Sequence, residues 1–172
     1  YIDRLLEKGL GTLWGICGVG VMPADRKMAE VLDAQDGLYT LLLKNPDGSK
    51  DARVIGSIVD YRYAPDDPEA VIELLAAPTT RIISLTITEG GYDIDTTGPD
   101  GQAGSVTVFG LVGAALARRR DRGIASPTIV SCDNIEGNGD VAREAFTTLA
   151  ERQHPGLAEG MSTHTRFPNS MV

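Results

Sequence analysis

Residues 82–92 read IISLTITEGGY, an apolar run of strand length that stops abruptly at two glycines. The run predicts a buried strand over residues 82–88. A second apolar run, TIVSC at residues 128–132, predicts another short buried strand. Between the two, residues 109–120 place apolar side chains at helical spacing. A strand, a helix and a strand in this order are typical of a parallel sheet with helices packed against it.

The same alternation of elements precedes this part of the chain. Residues 13–21 form an apolar run that predicts a strand buried on both faces, and residues 25–34 have the spacing of an amphipathic helix. The sequence NPDG at residues 45–48 predicts a turn, because proline and glycine adopt the dihedral angles that a turn requires. Residues 39–43 and 53–61 are expected to form the two strands of a hairpin around it.

Three further helices are expected. One covers residues 2–8, one begins at Pro68 with Asp67 as its N-cap, and one begins behind an N-cap at Asp140. Residues 93–105 are polar and rich in glycine, which predicts a surface loop. Because helices and strands alternate over most of the chain, we predict an α/β fold with a mainly parallel sheet flanked by helices.

Length and composition limit the possible functions. The 172 residues amount to about one domain. Acidic residues outnumber basic ones by 24 to 16, and the net charge of −8 argues against general binding of nucleic-acid phosphates or anionic lipid headgroups. No apolar run approaches the roughly 18 residues that span a bilayer. We therefore expect neither a nucleic-acid partner nor a membrane partner.

The cysteines and histidines predict neither a disulfide nor a metal site. Cys17 and Cys132 lie far apart in apolar runs, so a disulfide is not expected and the reducing cytoplasm is the predicted location. Cys132 has no histidine near it in sequence and is interpreted as a buried apolar residue. His154 and His164 lie in polar segments whose spacing matches no zinc site. The arginine-rich residues 118–122 are expected to end a helix, where cations interact favourably with the helix dipole.

Ligands of a parallel sheet collect beyond the carboxyl ends of its strands, so the segments directly after the predicted strands are the candidate site. The sequence GVG at residues 18–20 has the first two glycines of a phosphate-binding motif, but Pro23 occupies the position of the third. We therefore interpret these glycines as small residues that pack beneath a helix.

Three sites at or after the ends of predicted strands have two interpretations each. Asp25 is suited either to bind the ribose hydroxyls of a dinucleotide or to stabilise the positive end of a helix dipole. Thr88 and Glu89 precede two glycines, which either let the backbone approach a ligand or form a turn with positive φ. Asn134 follows a buried strand and either donates its amide to a developing oxyanion or forms the turn.

Six stretches carry a family resemblance when they are taken together. They are WGICGVG at 14–20, QDGLYT at 35–40, VIGSI at 54–58, SLTITEGGY at 84–92, SCDN at 131–134 and FPNSMV at 167–172. They cover nearly the whole chain in order, which makes them far more specific than any single motif. They resemble the N-terminal domain of the polyol-specific long-chain dehydrogenases, the family of mannitol dehydrogenase and fructuronate reductase.

The resemblance implies a Rossmann-type domain over residues 1–172 that binds NAD(H). From the order of elements, the hairpin is expected to be an insertion or to lie at the edge of the sheet. In the family, a first strand and a glycine-rich loop precede the residues that match Tyr1. A helical domain with the catalytic lysine follows the residues that match Val172. We therefore expect the chain to be a fragment of a longer enzyme and to be inactive alone. The family needs no catalytic metal, so none is expected.

The resemblance also implies roles for individual residues. Asn134 matches the asparagine that polarises the C2 oxygen of the sugar during hydride transfer, and it is expected to contact the cofactor as well. Asp25 matches the acidic residue that binds the adenosine ribose. Glu89 matches an acidic position near the nicotinamide. Thr88 and Val172 are the remaining expected cofactor contacts.

The implied function is that of an NAD-dependent oxidoreductase that interconverts a polyol and a ketose, with mannitol and fructose as the first expectation. Ala24 stands where some family members have an acidic residue, which leaves NADP open as the cofactor. A reductase of fructuronate or a related hexuronate is the alternative enzyme, with a sugar alcohol or keto-sugar as the small-molecule partner in either case. A non-catalytic nucleotide-binding or interaction module is the alternative outside the enzymes.

Overall fold

The computed structural model describes residues 2–11, 13–87, 89–92 and 106–171. Within these residues the helices are α1 Ile2–Glu7, α2 Asp25–Ala34, α3 Pro68–Ala76, α4 Val108–Asp121, α5 Asn138–Gln153 and α6 Leu157–His164. The strands are β1 Ile16–Gly20, β2 Tyr39–Lys44, β3 Lys50–Ile55, β4 Ile58–Tyr63, β5 Ile82–Leu85 and β6 Thr128–Ser131, and a 3-10 helix covers Glu89–Tyr92. The chain divides into two compact units, Tyr1–Asp67 and Pro68–Val172. The loop predicted for residues 93–105 lies outside the described residues.

The first unit is built on the parallel pair β1 and β4, in which Gly20 at the end of β1 lies opposite Tyr63 at the end of β4. Helix α2 has the predicted bounds and packs against both strands. Strands β2 and β3 form the predicted antiparallel hairpin, closed by a hydrogen bond of 3.0 Å from the Gly48 N–H to the Asn45 carbonyl. The unit thus has the parallel strands, the helix and the hairpin that the sequence predicts.

The second strand of the hairpin differs from the prediction. Residues 53–61 form the end of β3 and the start of β4, with a break at Gly56 and Ser57, rather than one strand. The break is needed because β3 pairs antiparallel with β2, whereas β4 pairs parallel with β1. The two strands therefore have different partners although they are neighbours in sequence.

Strand β1 is more exposed than the predicted strand buried on both faces. Only Gly20 among its five residues is buried, because β1 is hydrogen-bonded to β4 alone among the described strands. The interpretation of the glycines as small residues beneath a helix is correct for Gly20, whereas Gly18 packs against a side chain of the neighbouring strand β4. A Cβ on Gly18 would lie 2.4 Å from the ring of Tyr61, and a Cβ on Gly20 would lie 2.5 Å from the Cβ of Asp25. The missing side chains let β4 and α2 approach β1 closely.

The second unit is built on the parallel pair β5 and β6, in which Leu85 lies opposite Ser131. Strand β5 ends at Leu85 rather than at residue 88, because its partner ends at Ser131. Helix α4 begins behind Thr107, whose side chain accepts a hydrogen bond from the Gly110 N–H. The ring of Phe109 in α4 packs on that of Phe146 in α5, with 4.8 Å between the centroids.

Two helices of the second unit differ from the predictions. Helix α5 begins at Asn138 rather than behind Asp140, and Gly137 precedes it in the left-handed region with a φ of 64°. Helix α6 has no counterpart among the predicted helices, because its sequence LAEGMSTH is rich in residues of low helix propensity. It is stabilised instead by packing against α5, with Leu157 and Met161 buried.

The arginine-rich end of α4 binds specific acceptors in addition to ending a helix. The guanidinium of Arg119, a residue 2% exposed, donates hydrogen bonds of 2.5 to 3.3 Å to the carbonyl oxygens of residues 76, 77, 80 and 125. Arg118 and Arg122 each donate a hydrogen bond of 2.7 Å to the Glu73 carboxylate on α3. The end of α4 is thereby attached to α3, to residues 77 and 80 that follow α3, and to residue 125 that follows α4.

Glu73 is expected to make the attachment of α3 to α4 dependent on pH. Its hydrogen bonds to Arg122, together with the charges of Arg122 and Arg118, lower the pKa of Glu73 from 4.5 to about 2. A carboxylate with a lowered pKa stabilises the fold at neutral pH, and this stabilisation is lost as the pH falls from about 4.5 towards 2. In urea denaturation, Glu73→Gln should be less stable than the parent chain at pH 7 and equally stable near pH 2. Glu144→Gln, an exposed change on α5, is the control, and a pH-independent difference for Glu73→Gln would contradict the prediction.

Candidate functional site

Asp25 is the first residue of α2 and lies half-buried just beyond the end of β1. Its Oδ2 accepts hydrogen bonds from the backbone N–H groups of Val21 at 2.9 Å and Met22 at 2.8 Å. No described residue donates a hydrogen bond to its other oxygen, Oδ1. One carboxylate oxygen therefore closes the turn between β1 and α2, and the other remains available to a ligand.

Arg26, the next residue of α2, extends towards the end of β4. Its guanidinium binds Asp66 through two hydrogen bonds, Nη2–Oδ1 at 2.5 Å and Nη1–Oδ2 at 3.2 Å, and lies 4.6 Å from the centroid of the Tyr63 ring. An arginine near the ribose-binding acid is the group that accommodates a 2′-phosphate in NADP-binding folds. Here Arg26 is paired with Asp66, and the pair is exposed, so both the Arg26 guanidinium and the Asp25 carboxylate lie at the end of β1.

A buried carboxylate joins the segments that follow β5 and β6. Asp133 is 4% exposed, and its Oδ1 accepts a hydrogen bond of 2.8 Å from the backbone N–H of Ile87. Its Oδ2 accepts hydrogen bonds from the hydroxyls of Tyr92 at 2.7 Å and Ser131 at 3.0 Å. Because Ile87 and Tyr92 both follow β5, Asp133 fixes that segment beside residues 132–137, which we name the Asn134 turn.

Tyr92 is held as a neutral hydrogen-bond donor to Asp133. Burial is the largest cause that raises the pKa of Tyr92 to about 12; the hydrogen bond to Ser131 lowers it, and the hydrogen bond and charge of Asp133 raise it further. Its ring packs edge-on against Phe109, with 6.2 Å between the centroids. The hydroxyl therefore keeps its proton at neutral pH and donates it to the carboxylate.

Asn138, the first residue of α5, is fully buried and uses both ends of its amide. Its Nδ2 donates to the carbonyl oxygens of Ser131 at 2.9 Å and Asp133 at 3.0 Å, and to the Ser170 Oγ at 2.7 Å. Its Oδ1 accepts a hydrogen bond of 2.9 Å from the backbone N–H of Ser170. Asn138 thus attaches the Asn134 turn to α5 and to the segment around Ser170.

Asn134 itself has an exposed side chain in this turn. No described residue forms a hydrogen bond with its side-chain amide, whereas Asp133 directly before it is held through its carboxylate by Ile87 and through its carbonyl by Asn138. Hydrogen-bond donors fixed at the carboxyl end of a parallel strand are suited to a ligand in which negative charge develops. An exposed amide without a described partner is compatible with both interpretations of Asn134, a turn residue and a donor to a ligand.

The other predicted site residues are placed only in part. Thr88 and Val172 lie outside the described residues, and Glu89 begins the 3-10 helix that follows β5. This helix and the Asn134 turn belong to the second unit, where Asp133 joins their segments. Asp25 belongs to the first unit.

Cys132 is exposed, so its interpretation as a buried apolar residue is wrong. Ser131 before it is buried at the end of β6, and consecutive residues of an extended chain point to opposite sides. Burial, with a smaller effect of Asp60, raises the pKa of the half-buried Cys17 thiol to about 11.

In the described part of the chain, no three His, Cys, Asp or Glu side chains are grouped so that they could hold a metal ion. No described helix is both long enough and apolar enough to cross a membrane.

Sequence reasoning misses three residues that build this site, namely Tyr92, Asp133 and Asn138. All three lie in segments that the sequence marks as following a strand, at residues 89–92 and 133–138. Their burial is the missing information, since a buried polar side chain must find hydrogen-bond partners whereas an exposed one in the same turn need not. The available signal is the position of Asp133 two residues after the buried Ser131.

Comparison with known proteins identifies relatives that match the whole chain. The polyol:NADP oxidoreductase of Gluconobacter oxydans is 45% identical over 187 residues, which cover 100% of this chain and 38% of that protein. The mannitol 2-dehydrogenase of Phaeosphaeria nodorum is 42% identical over 185 residues, which cover 100% of this chain and 32% of that protein. The Pseudomonas fluorescens mannitol 2-dehydrogenase, solved in a ternary complex with NAD and D-mannitol, has a TM-score of 0.91 at 42% identity, covering 98% of this chain and 37% of that chain.

The chain spans about a third of the length of these curated relatives. The family described as the mannitol dehydrogenase Rossmann domain matches residues 1–172. This match and the similarity to the solved structure confirm the resemblance and the Rossmann-type α/β fold expected from the sequence. The chain therefore belongs to the mannitol dehydrogenase family and corresponds to its Rossmann domain.

Proposed function

We propose that this chain is the dinucleotide-binding part of an NAD-dependent oxidoreductase that interconverts a polyol and a ketose, most simply mannitol and fructose. The observation that carries the proposal is the exposed amide of Asn134 on a turn that Asp133 and Asn138 hold in place. The relative named mannitol 2-dehydrogenase and the solved neighbour bound to NAD and D-mannitol support the choice of cofactor and substrate.

The strand pairing supports a dinucleotide-binding domain. The Rossmann strand order 3-2-1-4-5-6 places strand 3 beside strand 2, and strand 4 beside strand 5. The parallel pairs β4 with β1 and β5 with β6 match these neighbours in chain order, so we assign β1, β4, β5 and β6 to strands 2, 3, 4 and 5. On this assignment, strand 1 with its glycine-rich loop and the helical domain with the catalytic lysine belong to a longer gene product.

Each unit, taken by itself, supplies a group that is suited to the proposed reaction. The hydroxyls of the adenosine ribose are donors, and the Oδ1 of Asp25 is an acceptor to which no described residue donates. The carboxylate would also repel the 2′-phosphate of NADP. In the second unit, the Asn134 amide supplies a donor for a substrate oxygen. NAD, when bound, supplies the hydride acceptor.

The proposed role of Asn134 follows from where charge develops. When a hydride leaves C2 of the alcohol, or arrives at C2 of the ketone, the attached oxygen becomes more negative. The amide of Asn134 donates a hydrogen bond to that oxygen and does not titrate within the working pH range. Because Asp133 and Asn138 already fix the turn, the donor needs little rearrangement as the charge appears.

NADP is the second candidate cofactor. The polyol:NADP oxidoreductase of Gluconobacter oxydans is 45% identical to this chain, and Ala24 leaves a single acidic residue at the end of β1. Asp25 favours NAD, whereas Arg26 would favour the 2′-phosphate of NADP if Asp66 did not bind it. On this view, the ribose of NAD would contact the Asp25 carboxylate, whereas the 2′-phosphate of NADP would contact the Arg26 guanidinium.

An assay of the full-length gene product tests the proposal. Oxidation of NADH and of NADPH is followed with fructose and with fructuronate, and the reverse reaction is followed with mannitol. NADH-dependent reduction of fructose supports the proposal. Turnover of fructuronate without fructose would assign the hexuronate reductase instead. Binding of NADH without turnover of any of these sugars would leave the non-catalytic module.

Asp25 is expected to set the preference for NAD. A carboxylate close to a 2′-phosphate costs about 1 to 3 kcal/mol, so Asp25→Ala should raise the ratio of kcat/KM for NADP to that for NAD by about 5- to 100-fold. Asp25→Asn removes the charge but keeps an oxygen that can accept from Val21 and Met22, so it isolates the electrostatic effect. Asp33→Asn, an exposed change on the same helix, is the control. An unchanged ratio in both Asp25 variants would favour the helix-terminus interpretation.

The cytoplasm is the location that we propose for this activity. Cys17 and Cys132 are both free thiols, one half-buried and one exposed. Exposed thiols persist in reducing compartments and tend to oxidise outside them. Localisation of the tagged full-length gene product is the direct test.

A further inference from the structure

The peptide bond between Asp133 and Asn134 is restrained from two directions. On one side, Asn138 donates from Nδ2 to the Asp133 carbonyl at 3.0 Å and to the Ser131 carbonyl at 2.9 Å. On the other side, the Asp133 carboxylate accepts from the Ile87 N–H at 2.8 Å and the Tyr92 hydroxyl at 2.7 Å. The backbone that carries Asn134 is therefore tied both to α5 and to the segment after β5.

These restraints come from groups that are costly to bury. Asn138 is fully buried and Asp133 is 4% exposed. Removing an amide and a carboxylate from water costs free energy unless their hydrogen bonds are satisfied inside the protein. A surface turn that only connects a strand to a helix needs no such groups, because water satisfies its polar atoms. Asn134, which follows Asp133 directly, is exposed, as are Cys132 and Glu136 in the same turn.

We propose that Asn138 and Asp133, the latter oriented by Tyr92, are positioning residues that fix the Asn134 amide for the reacting oxygen. This inference rests on the proposed role of Asn134 as the oxyanion donor. The positioning residues touch neither substrate nor cofactor. They act by holding the backbone on which Asn134 is carried, so that the donor is in place before charge develops.

The proposal predicts that variants of the positioning residues change kcat and the affinity for NADH to different extents. Loosening the Asn134 turn weakens a hydrogen bond that is strongest in the transition state, so kcat falls while the affinity for NADH changes little. Once Asn134 is replaced by alanine, no donor remains to be positioned. Further loosening of the turn then has no additional effect on kcat.

A double-mutant cycle in the full-length gene product tests this dependence. Tyr92→Phe removes one hydrogen bond to Asp133 but keeps the ring that packs on Phe109. We expect it to lower kcat about 10-fold in the parent enzyme and less than about 2-fold in the Asn134→Ala background, because residues that act through one another are not additive. Tyr39→Phe makes the same chemical change on the exposed hairpin strand β2 and should leave kcat unchanged in both backgrounds.

Asn138→Ala provides a second cycle from the other side of the turn. We expect a loss of kcat at least as large as that of Tyr92→Phe, again suppressed in the Asn134→Ala background. Melting temperatures are recorded for every variant, and rates are measured only below them. If Asn138→Ala does not fold, the Tyr92→Phe cycle alone decides.

The outcomes distinguish the positioning role from the role of Asn134 itself. Equal losses of kcat from Tyr92→Phe in both backgrounds, or no loss in the parent, would overturn the positioning role while Asn134→Ala remains strongly impaired. A near-normal kcat for Asn134→Ala would overturn the proposed function of Asn134 directly. A loss of kcat from Tyr92→Phe that occurs only in the parent background, with a strongly impaired Asn134→Ala variant, would support both the positioning role and the donor role of Asn134.

Discussion

Replacing Asn134 with alanine in the full-length gene product is expected to lower kcat roughly 100- to 1,000-fold, the usual effect of removing one preorganised oxyanion donor. The affinity for NADH should change little, because the hydrogen bond strengthens mainly as the oxygen at C2 gains charge. The measurement is steady-state kinetics of mannitol oxidation and fructose reduction, with NADH binding determined by calorimetry on the same preparation.

The stability of the Asn134→Ala variant separates the donor role from a structural one. The Asn134 amide is exposed and forms no hydrogen bond with the described residues, so its removal should cost less than about 1 kcal/mol of folding free energy. Glu136→Ala, another exposed change in the same turn, is the control and should keep kcat within a few-fold of the parent value. A clearly destabilised Asn134→Ala variant with near-normal turnover would remove Asn134 from the mechanism.

Replacing Arg119 with methionine is expected to destabilise this chain by about 1 to 3 kcal/mol, the range for leaving buried polar groups without their hydrogen-bond partner. The guanidinium of Arg119, a residue 2% exposed, donates to four carbonyl oxygens beyond the ends of α3 and α4. Methionine fills part of the space but donates nothing, so these carbonyls lose their donor, and that of the buried Ala76 has the least access to water as a replacement. The free energy of unfolding, measured by urea denaturation of the variant and parent, is the test.

Two matched variants make the Arg119 result specific. Arg120→Met changes the neighbouring exposed arginine of the same helix and should alter stability by less than about 0.5 kcal/mol. Arg119→Lys keeps the positive charge but cannot donate in four directions with the geometry of a guanidinium, so it should lie between methionine and the parent. Equal stability of Arg119→Met and Arg120→Met would contradict the importance of the carbonyl contacts.

The parts of the fold that depend on local sequence are predicted well. Helix α2 has the predicted bounds, and α3 begins at Pro68 as predicted, because their start signals and apolar spacing lie within a few residues. The family resemblance adds the Rossmann-type topology, since it compares the whole order of elements rather than single segments.

The errors arise where a distant partner determines the local structure. Residues 53–61 are divided between β3 and β4 because the two strands pair with different neighbours. Helix α6 is stabilised by packing against α5 and not by its own composition. Cys132 follows an apolar run and yet is exposed, because β6 ends one residue before it.

The candidate site shows the same limit. Asp25 and Asn134 can be found from sequence because they are polar residues directly after predicted strands. The residues that support the site cannot be ranked in this way, since Asn138 and Asp140 look equally suited to begin a helix. Only the structure distinguishes the fully buried Asn138 from the exposed Asp140.

The hydrogen bond from the Ser170 Oγ to the Ser131 carbonyl spans 39 residues of chain and has a consequence for folding. Closing a flexible loop of that length costs roughly 3 kcal/mol of chain entropy before the contact returns any stabilisation. The intervening α5 and α6 shorten the loop only once they have formed and packed. The Asn134 turn is therefore expected to become ordered late, after the helices beside it, so that a partly folded chain retains much of its helical structure while Asn134, the proposed oxyanion donor, is still misplaced.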